Sequence, residues 1–244
     1  MFLRVAGILF FFGLSLFLTN FFDASEVGKY DFARSWLLIL GGLCMVGTNQ
    51  AVIYYSGILI SKDSLGSLKR IYLKMLLIVF GAAATFLMLY ALIPNSFVDG
   101  YFNKDGASEL ILKTILALSA FALTMLNIDT LRAQRLALVS ELYRNLFRYL
   151  PFFLGALIIF FTENTHLLVE TYLAGFVLLA IISTIQVFRE FRKANEPDLG
   201  IEYKYNSILR ISYPMALSAV SFFLMQSVDI ILLGKFEQFN TVAY

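Results

Sequence analysis

Charge is what this chain has least of. Only 15% of its 244 residues are charged, and the net charge of +2 is too small to point to nucleic acid. One histidine, His166, excludes HExxH metalloprotease chemistry and leaves a histidine-dependent catalytic site without material. One cysteine, Cys44, excludes an internal disulfide. No GxxxxGK[ST] phosphate loop is present, because Gly28-Lys29 and Gly234-Lys235 lack the rest of it. No aspartate pair has the spacing of a membrane phosphotransferase. A glycosyltransferase using Asp23, Glu26 or Asp31 remains conceivable, although the segments between spans are short. An enzyme is therefore not expected, and neither is a cofactor.

What is abundant is apolar surface. The chain is 59% hydrophobic with a mean hydropathy of +0.78. A soluble domain cannot hide that much, so its solvent is read as lipid. Apolar runs of roughly 17–25 residues lie between charged clusters, the length that crosses a hydrocarbon core of about 30 Å. Seven spans are predicted: Phe2–Phe22, Trp36–Ile60, Met75–Val98, Ile111–Ile128, Phe147–Phe161, Leu167–Phe188 and Ile211–Leu233. The fifth is the shortest, and Leu136–Leu146 could extend it as one tilted helix. Continuous apolarity excludes barrel strands, which alternate over about ten residues. The fold class is thus all-α, a polytopic helical membrane protein.

Positive charge sets the expected orientation. Arg4 and the 61–74, 129–148 and 189–210 segments carry 14 of the 19 Lys and Arg residues, against 5 on the other side. This bias puts the N-terminus in the cytoplasm. The first span is read as uncleaved, because its apolar run exceeds that of a signal peptide and its basic n-region is nearly absent. The Arg189–Lys204 stretch, with Pro197 and Gly200, reads as a solvated linker.

A repeat is sought at the two ends. Leu18–Lys29 aligns without a gap on Leu233–Tyr244, pairing Leu18 with Leu233, Phe21 with Phe236, Val27 with Val242 and Gly28 with Ala243. Each segment follows a span that starts on the same side. The expected organisation is a six-span N-terminal lobe (1–188), a charged cytoplasmic linker (189–207) and the first helix of a second, truncated lobe (208–244), as in transporters built from two parallel halves.

Particular residues carry the resemblance that follows. They are Glu26, Gly28 and Tyr30 after the first span, Gly47 to Tyr54 (GTNQAVIY) in the second, and Ser212-Tyr213-Pro214, Ser227-Val228-Asp229 and Leu232 to Phe236 in the seventh. In this the chain resembles the polysaccharide-exporter or O-antigen flippase branch of the multidrug/oligosaccharidyl-lipid/polysaccharide exporter superfamily, over about half that family's usual length. The resemblance implies two six-helix lobes in a V that opens alternately to either side. It implies a polyprenyl-diphosphate-linked oligosaccharide as substrate, the bacterial inner membrane as location, and glycan polymerase and glycosyltransferases as partners beside the membrane lipids. A cation-coupled multidrug exporter of the same superfamily is the alternative.

Such a substrate needs cations for its diphosphate and a polar route for its sugars. Arg4, Arg34, Arg148 and Arg210 stand at predicted span edges, where each either meets the diphosphate or simply snorkels to the interface. In the second span, Gly42, Asn49 and Ser56 recur every seven residues, with Gly47, Gln50, Tyr54 and Gly57 on the adjoining arc. That arc either lines a cavity, with Asn49, Gln50 and Tyr54 on sugar hydroxyls, or packs against another helix. Asp229 either couples transport to a cation or forms a salt bridge or cap. Gly81 to Ala84 is expected to be a packing seam.

Overall fold

The computed structural model describes residues 2–104, 106–193, 197–237 and 239. The described residues form helices and turns, with no strand among them. The helices are α1 (Phe2–Phe21), α2 (Ala24–Cys44), α3 (Thr48–Ser61), α4 (Leu68–Ala91), α5 (Asn95–Phe102), α6 (Ala107–Ala133), α7 (Ala137–Leu142), α8 (Leu150–Thr162), α9 (Leu168–Lys193) and α10 (Tyr205–Phe236). Among the described residues six helical stretches are long and apolar enough to cross a membrane, and the bent pair α2–α3 makes a seventh if taken as one span. The fifth of the seven runs from Ala137 to Thr162, joining α7 and α8 through a π-helical turn at Tyr143–Phe147. The chain is a multi-pass, all-helical membrane protein.

Helix α6 forms the centre. It packs against α9, α2, α3 and α4, and Phe121, Leu126 and Leu131 are fully buried. Around it the apolar stripes face inward at helical spacing. On α4 that stripe is Leu68, Tyr72, Met75, Val79 and Ala83. Ala83 lies in that stripe and Ala82 packs against the core, while Gly81 and Ala84 are exposed, so only the middle of the expected seam is packed.

The second span departs most from expectation. Its helix begins at Ala24, twelve residues before Trp36, so Lys29, Asp31 and Arg34 are helical rather than in a loop. Local pairing explains this. Lys29 donates to Glu26 at 2.7 Å and Arg34 to Asp31 at 3.1 Å, both at i,i+3, and Glu26 favours the helix N-terminus. The helix then breaks at Val46 and Gly47, with φ of 49° and 73°, and resumes as α3 at an angle of 42°. Positive φ is costly for a β-branched residue. A break at membrane depth is tolerated where protein surrounds it. Here α10 does so, lying along α2 and across α3.

Small residues make that contact close. Ser212, Ala219, Ser227 and Gly234 are the buried positions on the inward face of α10 beyond Ile208. A Cβ on Gly42 would meet Phe223 at 2.5 Å, and one on Gly234 would meet Phe32 at 2.7 Å. One on Gly47 would stand 2.7 Å from the Ala216 nitrogen, and closer still to the Ser212 carbonyl. The seventh span therefore has a packing face, and that face is occupied by α2 and α3.

The expected linker begins as the last turns of α9, to Lys193, and is exposed at 197–200, 202 and 204, yet it is docked. Residues 197–204 lie as a strap on the start of α4. Gly66 N–H donates to the Pro197 carbonyl at 3.1 Å, and Leu199 and Ile201 N–H groups donate to the Ser64 and Ser67 hydroxyls. Ser67 donates to Asp198 at 2.6 Å, while Arg70 and Lys74 hold Asp198 and Glu202. In the terminal repeat, the partners Val242 and Ala243 lie outside the described residues.

Candidate functional site

The depth of a side chain can be read from the ring it touches. The Arg34 guanidinium lies 4.7 Å from the centroid of Phe11, the tenth residue of α1. At 1.5 Å per residue, Phe11 is about 14–15 Å from either end of that helix. Arg34 is therefore at mid-depth, not at a span edge. Arg148 follows the π-helical turn and lies 5.7 Å from Phe121, near the middle of α6. It too is at mid-depth.

The two arginines share their surroundings. Tyr30, Asp31, Tyr149 and Tyr172 stand around Arg34, and both guanidiniums act on Tyr172. Arg148 also lies over Tyr149, 5.7 Å from its centroid. The tyrosines are set by stacking: Tyr30 on Phe152 at 4.8 Å and edge-on to Tyr172 at 5.0 Å, and Tyr149 on Phe11 at 5.0 Å. Two cations and one carboxylate leave this cluster with a net positive charge. The Arg34 side chain keeps 28% of its surface accessible. A charge at mid-depth with accessible surface requires water or a ligand rather than lipid tails. Chemically, the cluster can hold a phosphate-type anion among guanidiniums and tyrosines.

A second polar group lies beside it. Asn49, at the start of α3, donates to Asp129 of α6 at 3.2 Å, and Arg144 of the π-helical turn is paired with the same carboxylate. Asp129 is 5% exposed. The Asn49 Oδ1 and Arg144 Nε atoms are buried without a hydrogen-bond partner among the described residues. Each leaves one hydrogen-bonding position for water or a ligand.

The other sequence candidates divide. Gln50, Tyr54 and Gly57 form one exposed face of α3, whereas Gly42, Gly47 and Ser56 are buried. The polar arc is thus split into a packed side and an open side. Arg210 and Asp229 lie on exposed positions of α10, and neither forms an ion pair among the described residues. Arg4 is exposed and pairs with Glu141 at 3.2 Å. Sequence reasoning missed Asp129, Arg144, Tyr149 and Tyr172 as site residues, and weighed Asp31 only as a catalytic carboxylate and Tyr30 only as part of the resemblance. The i,i+3 spacing of Asp31 and Arg34 was the available signal for a helical pair.

No protein-family model, curated protein or solved structure matches the chain.

Proposed function

We propose that the chain belongs to a flippase that moves a polyprenyl-diphosphate-linked oligosaccharide across the bacterial inner membrane by alternating access, with its N-terminus in the cytoplasm. The observation that carries this reading is the pair of mid-depth arginines, Arg34 and Arg148, in a tyrosine-lined interior with a single carboxylate. A diphosphate is the part of such a substrate that hydrocarbon tolerates least, and guanidiniums are suited to it by geometry and charge. The aromatic rings and the open amide and phenol of Gln50 and Tyr54 suit sugar faces and hydroxyls.

A cation-coupled multidrug exporter is the second reading. Asp31 and Asp129, both helical and the latter buried, supply the acidic groups such an exporter needs in this part of the fold. Transport in proteoliposomes separates the two. The flippase reading expects the full chain to move a labelled lipid-linked oligosaccharide, and the R34Q/R148Q variant to lose that movement. Cationic dye efflux that survives R34Q/R148Q but not Asp129→Asn, without lipid movement in the wild type, would favour the exporter.

A further inference from the structure

The end of the bundle that carries α5 holds a cleft of 340 Å³ between α2, α4, α5 and α6. Its wall includes Trp36, Phe86, Tyr90, Ile93, Tyr101 and Phe102, and no polar atom faces it. Ile93 and Tyr101 are exposed, so the cleft opens sideways between the helices. Helix α5 is amphipathic, with Val98 and Phe102 buried and Phe97 and Tyr101 outward. A short helix of this kind joining two spans lies at the headgroup boundary.

Cations stand at the same rim. The Lys235 ammonium is 4.0 Å from the Tyr101 ring centroid. Lys104 donates to the Gly234 carbonyl at 2.5 Å and lies 4.2 Å from the Phe239 centroid. A second cavity, of 460 Å³, contains Lys104, Lys235 and Glu237, and Phe102 borders both cavities. Among the described residues, two ammonium groups against one carboxylate leave a single positive charge beside an apolar slot.

We infer that this rim is a binding site for an anionic phospholipid, with one acyl chain in the apolar cleft and the phosphodiester between Lys104 and Lys235. The charge balance fits a phosphodiester, which carries one negative charge. The apolar wall and sideways opening fit a chain that enters from the bilayer. Burial pushes the Lys104 ammonium below its ordinary range, and Glu237 offsets this only in part. An arriving phosphate supplies the missing counter-charge. Lys235 belongs to α10 while the cleft belongs to α2, α4, α5 and α6, so the lipid clamps α10 to the bundle. This inference is independent of the flippase reading.

The chain supplies its own probe, because Trp36 is its only tryptophan and lines the cleft. The full chain is placed in phosphatidylcholine bilayers containing a small fraction of lipid with brominated chains. Brominated phosphatidylglycerol is expected to quench Trp36 as though enriched about fivefold or more over brominated phosphatidylcholine. The preference falls with added salt and disappears in K104Q/K235Q, and it persists in K104R/K235R. Equal quenching by the two brominated lipids in the wild-type chain overturns the proposal, whatever the variants do. So does a preference that K104Q/K235Q retains.

Discussion

At the residue scale, the main feature is how few charges enter the membrane and how those in the two polar clusters are held. Arg34 has Asp31 one turn away, and Asp129 has Arg144 and Asn49. Removing one member of such a group leaves the others buried and uncompensated. For Asn49→Ala we expect a loss of about 1–3 kcal/mol in unfolding free energy, measured in detergent by chemical denaturation. A neutral result would mean that water replaces the amide and that Asn49 does not bind Asp129. The arginine positions were only partly legible in the sequence. Arg34 reads as a loop residue because a charge triad of Lys29, Asp31 and Arg34 normally marks the end of an apolar run. Pairing at i,i+3 satisfies those charges inside a helix, and hydropathy alone does not register it.

At the element scale, α2, α3 and α10 form one unit whose contact depends on small residues. Gly47 is the critical position, since it combines φ of 73° with backbone of α10 against its hydrogen face. Gly47→Ala should cost about 2–4 kcal/mol, from left-handed strain and displaced α10 together. Gly57→Ala, with open space around it, should cost little by the same unfolding measurement. The strap of residues 197–204 carries a pH prediction. The Ser67 hydroxyl, the Gly200 N–H and Arg70 hold the Asp198 carboxyl below the usual carboxylate range. A depressed carboxylate stabilises the docked strap above its undocked value, and that contribution is lost as pH falls through the docked one. Protection of the Leu199 and Ile201 amides, taken relative to their intrinsic exchange rates, should therefore be present at neutral pH and fall only in strong acid. Asp198→Asn should lower that protection and make it independent of pH over the same range. Slow exchange in Asp198→Asn would show that the Ser64 and Ser67 contacts hold the strap without the carboxylate.

At the scale of the whole molecule, six spans, and the seventh where α2–α3 is taken as one, were readable because lipid imposes length and apolarity on each. Even the weak fifth span came out as one stretch from Ala137 to Thr162, with Arg144 in its π-helical turn and Arg148 just after it. The strap and the packing of α10 were not readable, because both rest on contacts between residues more than 100 positions apart. Orientation is open to direct test. Cys44 is buried and is the only cysteine, so a C44S background accepts single cysteines for labelling in intact cells. Lys62→Cys is expected to react only after the membrane is permeabilised, and Asp99→Cys to react from outside. The reverse pattern would invert the topology proposed from the basic residues.

The central claim is that Arg34 and Arg148 together receive a diphosphate at mid-depth. The most direct measurement is binding of a short-chain polyprenyl diphosphate, with the matching polyprenol as control, to the purified full chain and to R34Q/R148Q. The account predicts that the wild-type chain prefers the diphosphate to the alcohol by about tenfold or more for each arginine engaged, and that the double variant binds the two alike. A diphosphate preference undiminished in R34Q/R148Q, or none in the wild type, would contradict it.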